Sequence, residues 1–91
     1  MIRSFRHKGL RDLFERNDAR KLRSDLAERC RVRLMMLHQA TRPRDMHVPG
    51  FDFHPLRGKP LRYSVHVNGP WCITFEWRDG EAWRVDLEQY H

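Results

Sequence analysis

The stretch Trp71–His91, WCITFEWRDGEAWRVDLEQYH, decides how the rest of the chain must fold. Trp71, Ile73, Phe75 and Trp77 alternate with Cys72, Thr74 and Glu76, the period of two of a half-buried strand. Trp83, Val85 and Leu87 alternate with Arg84, Asp86 and Glu88 in the same way. Asp79-Gly80 stands between the runs. Both central residues of a tight hairpin turn need positive φ, and Asp-Gly accepts it readily. The stretch therefore reads as a hairpin with Trp71, Trp77 and Trp83 on its core side. It ends in the polar, titratable pair Tyr90-His91.

Working outward, Tyr63, Val65 and Val67 alternate with Ser64 and His66, a strand that Asn68-Gly69 turns into Trp71. Phe51–Leu56 reads as a further strand, followed by the basic turn Arg57-Gly58-Lys59-Pro60. Thr41–Gly50 reads as a loop, and Ile2–Phe5 as a short β-capable segment. Between them, Leu10, Leu13 and Phe14 share one helical face of His7–Arg16, and Asn17-Asp18 interrupts the helix. From Ala19, Leu22, Leu26, Cys30, Leu34 and Leu37 form one stripe of a helix of roughly twenty residues, which Pro43 ends. The order β–α–α–β–β–β–β predicts a single α+β domain, residues 1–91, with two N-terminal helices packed on a mostly antiparallel sheet. Ninety-one residues leave room for one small core.

Charge is unevenly spread. Residues 1–70 carry sixteen Lys/Arg against seven Asp/Glu, a net of +9, whereas residues 71–91 carry two against five, a net of −3. Most of the cations are Arg, which grips phosphate with two parallel hydrogen bonds. A polyanionic partner follows, nucleic acid first. On the long helix, Arg20, Lys21, Arg23, Arg29, Arg31 and Arg33 exceed what solubility requires and read as a binding face. Cys30 and Cys72 lack the spacing of a zinc site or a disulfide framework, and no nucleotide-binding glycine loop occurs. Without an apolar run that could serve as signal peptide or membrane span, the expected location is the cytoplasm. No metal or other cofactor is expected.

His54 lies in FDFHPLRGKP, next to a turn where Gly58 permits an unusual backbone and Arg57 or Lys59 could hold a phosphate. Such an inventory suits metal-free RNA cleavage, in which a 2′-OH attacks the neighbouring phosphate. That reaction needs a base, an acid and cations around the phosphorane. His54 and His91 are of the residue type that serves as acid or base, Arg57 and Lys59 supply charge, and Tyr90 can stack on a base or bond to phosphate. His7, His38, His47 and His66 read as structural.

The segments MIRSFRHKGLRDLF, PGFDFHPLRG and YSVHVNGPW-x-ITFEWRDGEAWRVDLEQYH, with the terminal Tyr-His, resemble HigB toxins of the RelE/ParE superfamily over essentially the whole chain. The resemblance implies a RelE-like fold and a ribosome-dependent endoribonuclease that cuts mRNA in the ribosomal A site. It also implies a HigA-type helix-turn-helix antitoxin, and operator DNA contacted only through the antitoxin complex. The family's HPLKG-like motif falls on His54-Pro55-Leu56-Arg57-Gly58, so Arg57 replaces a Lys that is common there. Its terminal acid-Tyr-His falls on Gln89-Tyr90-His91, where Gln89 supplies no carboxylate. Cys72 stands where the family carries an Arg facing the scissile phosphate. The resemblance thus implies either a weakened toxin or one in which Arg57, Lys59 or Arg62 takes over. Two other readings stand beside it. One is a ParE-like gyrase inhibitor, against which His54 and Tyr90-His91 argue. The other is an inactive homologue that acts through antitoxin and operator, which Cys72 and Gln89 favour.

Overall fold

The computed structural model describes residues 1–90, so the expectation for His91 lies outside the described residues. Helix α1 spans Lys8–Arg16 and α2 spans Ser24–Gln39; a 3₁₀ turn covers Pro43–Met46. Strands β1 (His54–Leu56), β2 (Arg62–Asn68), β3 (Trp71–Arg78) and β4 (Glu81–Gln89) follow. They form one antiparallel sheet in the order β1-β2-β3-β4. The helices cover one of its faces, which is the α+β arrangement the periodicities predict.

Helix α1 begins where the His7 ring accepts the Leu10 N–H through Nδ1 at 3.1 Å, satisfying one of the free amides of the first turn. It ends at Asn17, whose left-handed φ of 55° sends its N–H back to the carbonyls of Asp12 and Leu13. The α2 stripe of Leu26, Cys30, Leu34 and Leu37 is buried as its spacing requires, and burial pushes the Cys30 thiol up to about 11. This helix starts at Ser24, however, and not at Ala19. The Asp18 carboxylate accepts both the backbone N–H and the guanidinium of Arg20, which holds the linker in a turn. Leu22 still packs on the core from that turn. At the other end α2 stops at Gln39. Pro43 instead opens the 3₁₀ turn within the expected loop, and it places Met46 in the core.

Asp79 and Gly80 take φ of 54° and 75°, the two positive values the tight turn demands. The other hairpin turns one residue later than its Asn-Gly suggests. Asn68 pairs with Trp71, so Gly69-Pro70 make the turn, and a bulge between His66 and Asn68 absorbs the shift. The expected strand Phe51–Leu56 shortens to His54–Leu56, because Asp52 adopts a left-handed φ of 45°. The N-terminal residues form no strand of a sheet. Ile2 and Phe5 make parallel bridges to Ala82 and Val85, and the Arg3, Arg6, Ala82 and Val85 amides close the seam.

A second bulge corrects the reading of β4. Glu76 faces Trp83 and Thr74 faces Asp86, so β4 carries one residue more than β3 between these pairs. Arg84 takes a left-handed φ of 51° there. An extra residue reverses the inside–outside phase. Ala82, Val85 and Leu87 thus enter the core, whereas Trp83 lies on the opposite face beside Glu76. Trp83 is therefore not a core residue. The Arg78 and Arg3 guanidinium groups lie 4.4 Å and 5.8 Å from its ring centre, and its indole N–H donates to the Arg78 carbonyl. Trp71 and Trp77 do pack on the core. Among the described residues no helix is long and apolar enough to cross a membrane.

Candidate active site on the open face of the sheet

Residues directly opposite one another in paired strands share a face. Register therefore places His54, Ser64, Thr74 and Asp86 in one row across all four strands, on the face away from the helices. His66, Cys72 and Glu88 form the next row on one side; Arg62 and Glu76 continue the row on the other. His54 and Arg62 are diagonal neighbours across β1 and β2, an arrangement that sets residues about 7–8 Å apart.

Arg62 is the hub of this face. Its Nη1 donates to Glu88 Oε2 at 2.7 Å and its Nη2 donates to the Tyr90 hydroxyl at 2.7 Å. Glu88 also accepts the Thr74 hydroxyl. Burial opposes the charge on Arg62, yet Glu88 and Tyr90 outweigh it and hold the guanidinium protonated. Beside it, Glu76 is largely buried and receives Arg84 at 3.2 Å and Arg78 at 3.8 Å. The left-handed backbone of Arg84, whose N–H donates to Ser4 Oγ, lets that side chain reach across to Glu76. Arg6, Pro60, Arg62, Glu76, Arg78, Arg84 and Glu88 line one cleft of about 590 Å³. Four of these seven are arginines against two carboxylates; Arg62, Arg78 and Arg84 are paired with Glu88 or Glu76, and the lining keeps a surplus of two positive charges.

The sequence-predicted residues divide. His54 and Tyr90 both reach the open face: His54 is exposed with Nδ1 2.8 Å from the Asp52 carbonyl, and Tyr90 is tied to Arg62. Arg57 and Lys59 are exposed in the β1–β2 turn, where Gly58 has φ 118°. That turn brings Pro60 to the cleft, while neither cation has a hydrogen bond or ion pair among the described residues. Cys72 is buried in the row of His66 and Glu88, so its side chain does belong to this face.

The helix cations are largely engaged. Arg20 pairs with Asp18, Lys21 with Asp12 and Arg23 with Asp25, all at 2.7–2.9 Å. Arg31 holds Glu28 and the Asn17 side-chain oxygen, and Arg29 donates to the Val67 carbonyl. Arg33 overturns the expectation of a phosphate-binding side chain. It is 7% exposed, donates to the His66 and Arg29 carbonyls, and lies 4.3 Å from the Phe51 ring centre. Its guanidinium joins α2 to the sheet.

Glu76, Glu88, Thr74, Arg84, Arg78 and Arg6 escaped sequence reading as site residues. Their signal was the polar half of each alternation, which marks a face without saying which strands are neighbours. Ser64, like Asp86, is a further unread member of the face. Its hydroxyl is buried in the His54 row with no partner among the described residues. Among the described residues no cluster of His, Cys, Asp and Glu gathers as a metal ligand set.

Two helices on a four-stranded antiparallel sheet, with an arginine-lined cleft on the uncovered face, define the RelE-like class of small α+β proteins. A family model described as "RelE-like toxin of type II toxin-antitoxin system HigB" matches residues 3–91. Over 92 aligned residues the chain is 35% identical to the protein named Endoribonuclease HigB of Proteus vulgaris, with all of both chains covered. The chain belongs to the HigB-like family of type II toxins.

Proposed function

We propose that this toxin is an endoribonuclease that cuts mRNA in the ribosomal A site without a metal ion, in the cytoplasm. The observation that carries the reading is the Arg62–Tyr90 pair held beside His54 on an arginine-lined face. Its Proteus relative is named an endoribonuclease.

The chemistry follows from the groups. A base takes the proton of the 2′-OH, whose oxygen forms a bond to phosphorus. The bond from phosphorus to the 5′ oxygen breaks, that oxygen takes a proton from an acid, and a 2′,3′-cyclic phosphate remains. His54 and His91 exchange these protons. Arg62 and Arg57 offset the charge that grows on the phosphorane, and Tyr90 positions the phosphate or stacks on a base. With a guanidinium already on the neighbouring strand, Arg62 substitutes for the family arginine that Cys72 lacks. Surface cations, the exposed Arg20, Lys21, Arg23, Arg29, Lys59 and Arg57 and the half-buried Arg31, meet ribosomal RNA. As a type II toxin the protein has an antitoxin. We assign it a HigA-type helix-turn-helix partner, through which alone the complex contacts operator DNA.

Mapping of mRNA 5′ ends by primer extension on translating ribosomes tests this. Cuts within A-site codons that disappear with His54→Ala are expected, with Cys72→Arg cutting within about tenfold of the unaltered protein. Cuts from Cys72→Arg alone would mean that Arg62 does not substitute. Silence from every version, with gyrase inhibited or operator binding intact, would replace the nuclease by one of the binding readings.

A further inference from the structure

Outside the site described, one surface combines aromatic rings with arginines. The 3₁₀ turn Pro43–Met46 faces the sheet beside β1, and the space between is a cleft of about 450 Å³ lined by Arg42, Pro43, Arg44, Phe53 and Tyr63. It continues into a second hollow shared by Arg44, His47 and Phe53. The Phe53 and Tyr63 rings stack at 5.5 Å between centres and 11° between planes, and His47 leans on Phe53 from 6.5 Å. Each aromatic ring is only partly buried. Arg42 shares Asp45 with the Thr41 backbone, and Arg44 is exposed without a hydrogen bond or ion pair among the described residues.

Such a surface fits an unpaired nucleobase. Rings supply a π face that accepts any base, and the guanidinium groups on the rim reach the flanking phosphates. Position favours the same occupant. Phe53 immediately precedes His54, and Tyr63 pairs with Pro55, so the cleft opens on the helix side of the sheet, one residue round the β1 edge from His54 on the open face. β1 is an edge strand of three residues, so an RNA strand that leaves His54 across this edge enters the cleft on the other side.

We propose that the cleft formed by Arg42, Arg44, His47, Phe53 and Tyr63 holds one unpaired base of the RNA strand adjacent to the nucleotide that is cut. The proposal rests on the nuclease reading. It deepens that reading by adding a subsite that selects single-stranded RNA and sets which phosphate reaches His54.

The test is equilibrium binding of a hexaribonucleotide, 2′-O-methylated so that it cannot be cut, carrying one 2-aminopurine whose fluorescence falls on stacking. The unaltered protein, Phe53→Leu, Arg44→Gln and Val32→Ala are compared at several salt concentrations. Phe53→Leu keeps the apolar packing but removes the ring; it should weaken binding about tenfold and abolish the fluorescence change. Arg44→Gln should weaken binding several-fold and flatten the slope of log K against log salt by about 0.7, the value for one phosphate on a single strand. Val32→Ala, at an exposed position of α2 outside both sites, should bind normally. Binding and quenching by Phe53→Leu equal to the unaltered protein would overturn the subsite. So would variants that bind RNA normally but lose a purified antitoxin, which would make the cleft a protein-docking surface. Normal quenching with no mRNA cuts would leave the subsite standing and remove the nuclease.

Discussion

At the scale of single residues, Arg62 is the side chain on which the open face depends. Its two bonds, to Glu88 and Tyr90, orient a guanidinium fork next to His54. Arg62→Ala should lower single-turnover cleavage on ribosomes by about 10²–10³-fold. Arg62→Lys keeps charge but not the fork and should fall between. Ser64 tests the opposite quality. A buried hydroxyl without a partner costs about 1–3 kcal/mol. Ser64→Ala should therefore raise the urea-unfolding free energy by about 1 kcal/mol. If cleavage falls at the same time, the hydroxyl is kept for substrate rather than for stability. Arg62 was legible only as one of three cations that could stand in for the family arginine, and Ser64 was not legible as special. Arg62 and Ser64 sit in an ordinary alternation, and their importance comes from strands that are distant in sequence.

At the scale of elements, local chemistry decided what the sequence could reveal. Asp79-Gly80 was legible because both positive φ values are demanded within the dipeptide itself. The α2 stripe was legible from Leu26 onward but misleading at Leu22, which has helical spacing yet lies in the linker. Asp18, and not the apolar pattern, sets that boundary by gripping Arg20. This grip carries a pH signature. Arg20's side-chain bond to Asp18, with its backbone N–H second, lowers the carboxyl from 3.8 to about 2. A carboxyl depressed in the folded state stabilises above its unfolded value and loses that contribution as pH falls through the folded one. Urea titrations should show Asp18→Asn less stable than the unaltered protein at pH 5, with the gap closing between about pH 4 and pH 2. The Arg84 bulge had no such local cue. Arginine rarely adopts positive φ, so nothing in the residue type announced that Trp83 would change faces.

At the scale of the whole molecule, the two layers divide the labour. Helices bury one side of the sheet, and the other side gathers most of the residues proposed for chemistry. A net charge of +6 surrounds both layers. If the protein engages three ribosomal phosphates, doubling the salt should weaken ribosome binding roughly sixfold, and a flat response would argue against the RNA surface. The family resemblance had already reached the α+β class and the toxin family, whereas the cleft required the register of four strands.

The seam between the first six residues and β4 has a further consequence, for solubility. Unpaired strand edges template sheet growth between molecules. Here β4 is occupied by Met1–Arg6 through the Ile2 and Phe5 bridges, and the opposite edge, β1, is three residues long and contains Pro55. The sheet thus ends in a covered side and a short, proline-broken one. Deleting residues 1–6 would bare the longest strand of the sheet. Light scattering at rising concentration should then show self-association that the unshortened chain resists, which gives the first six residues, Arg6 of the cleft among them, a second role in keeping the fold from seeding a fibre.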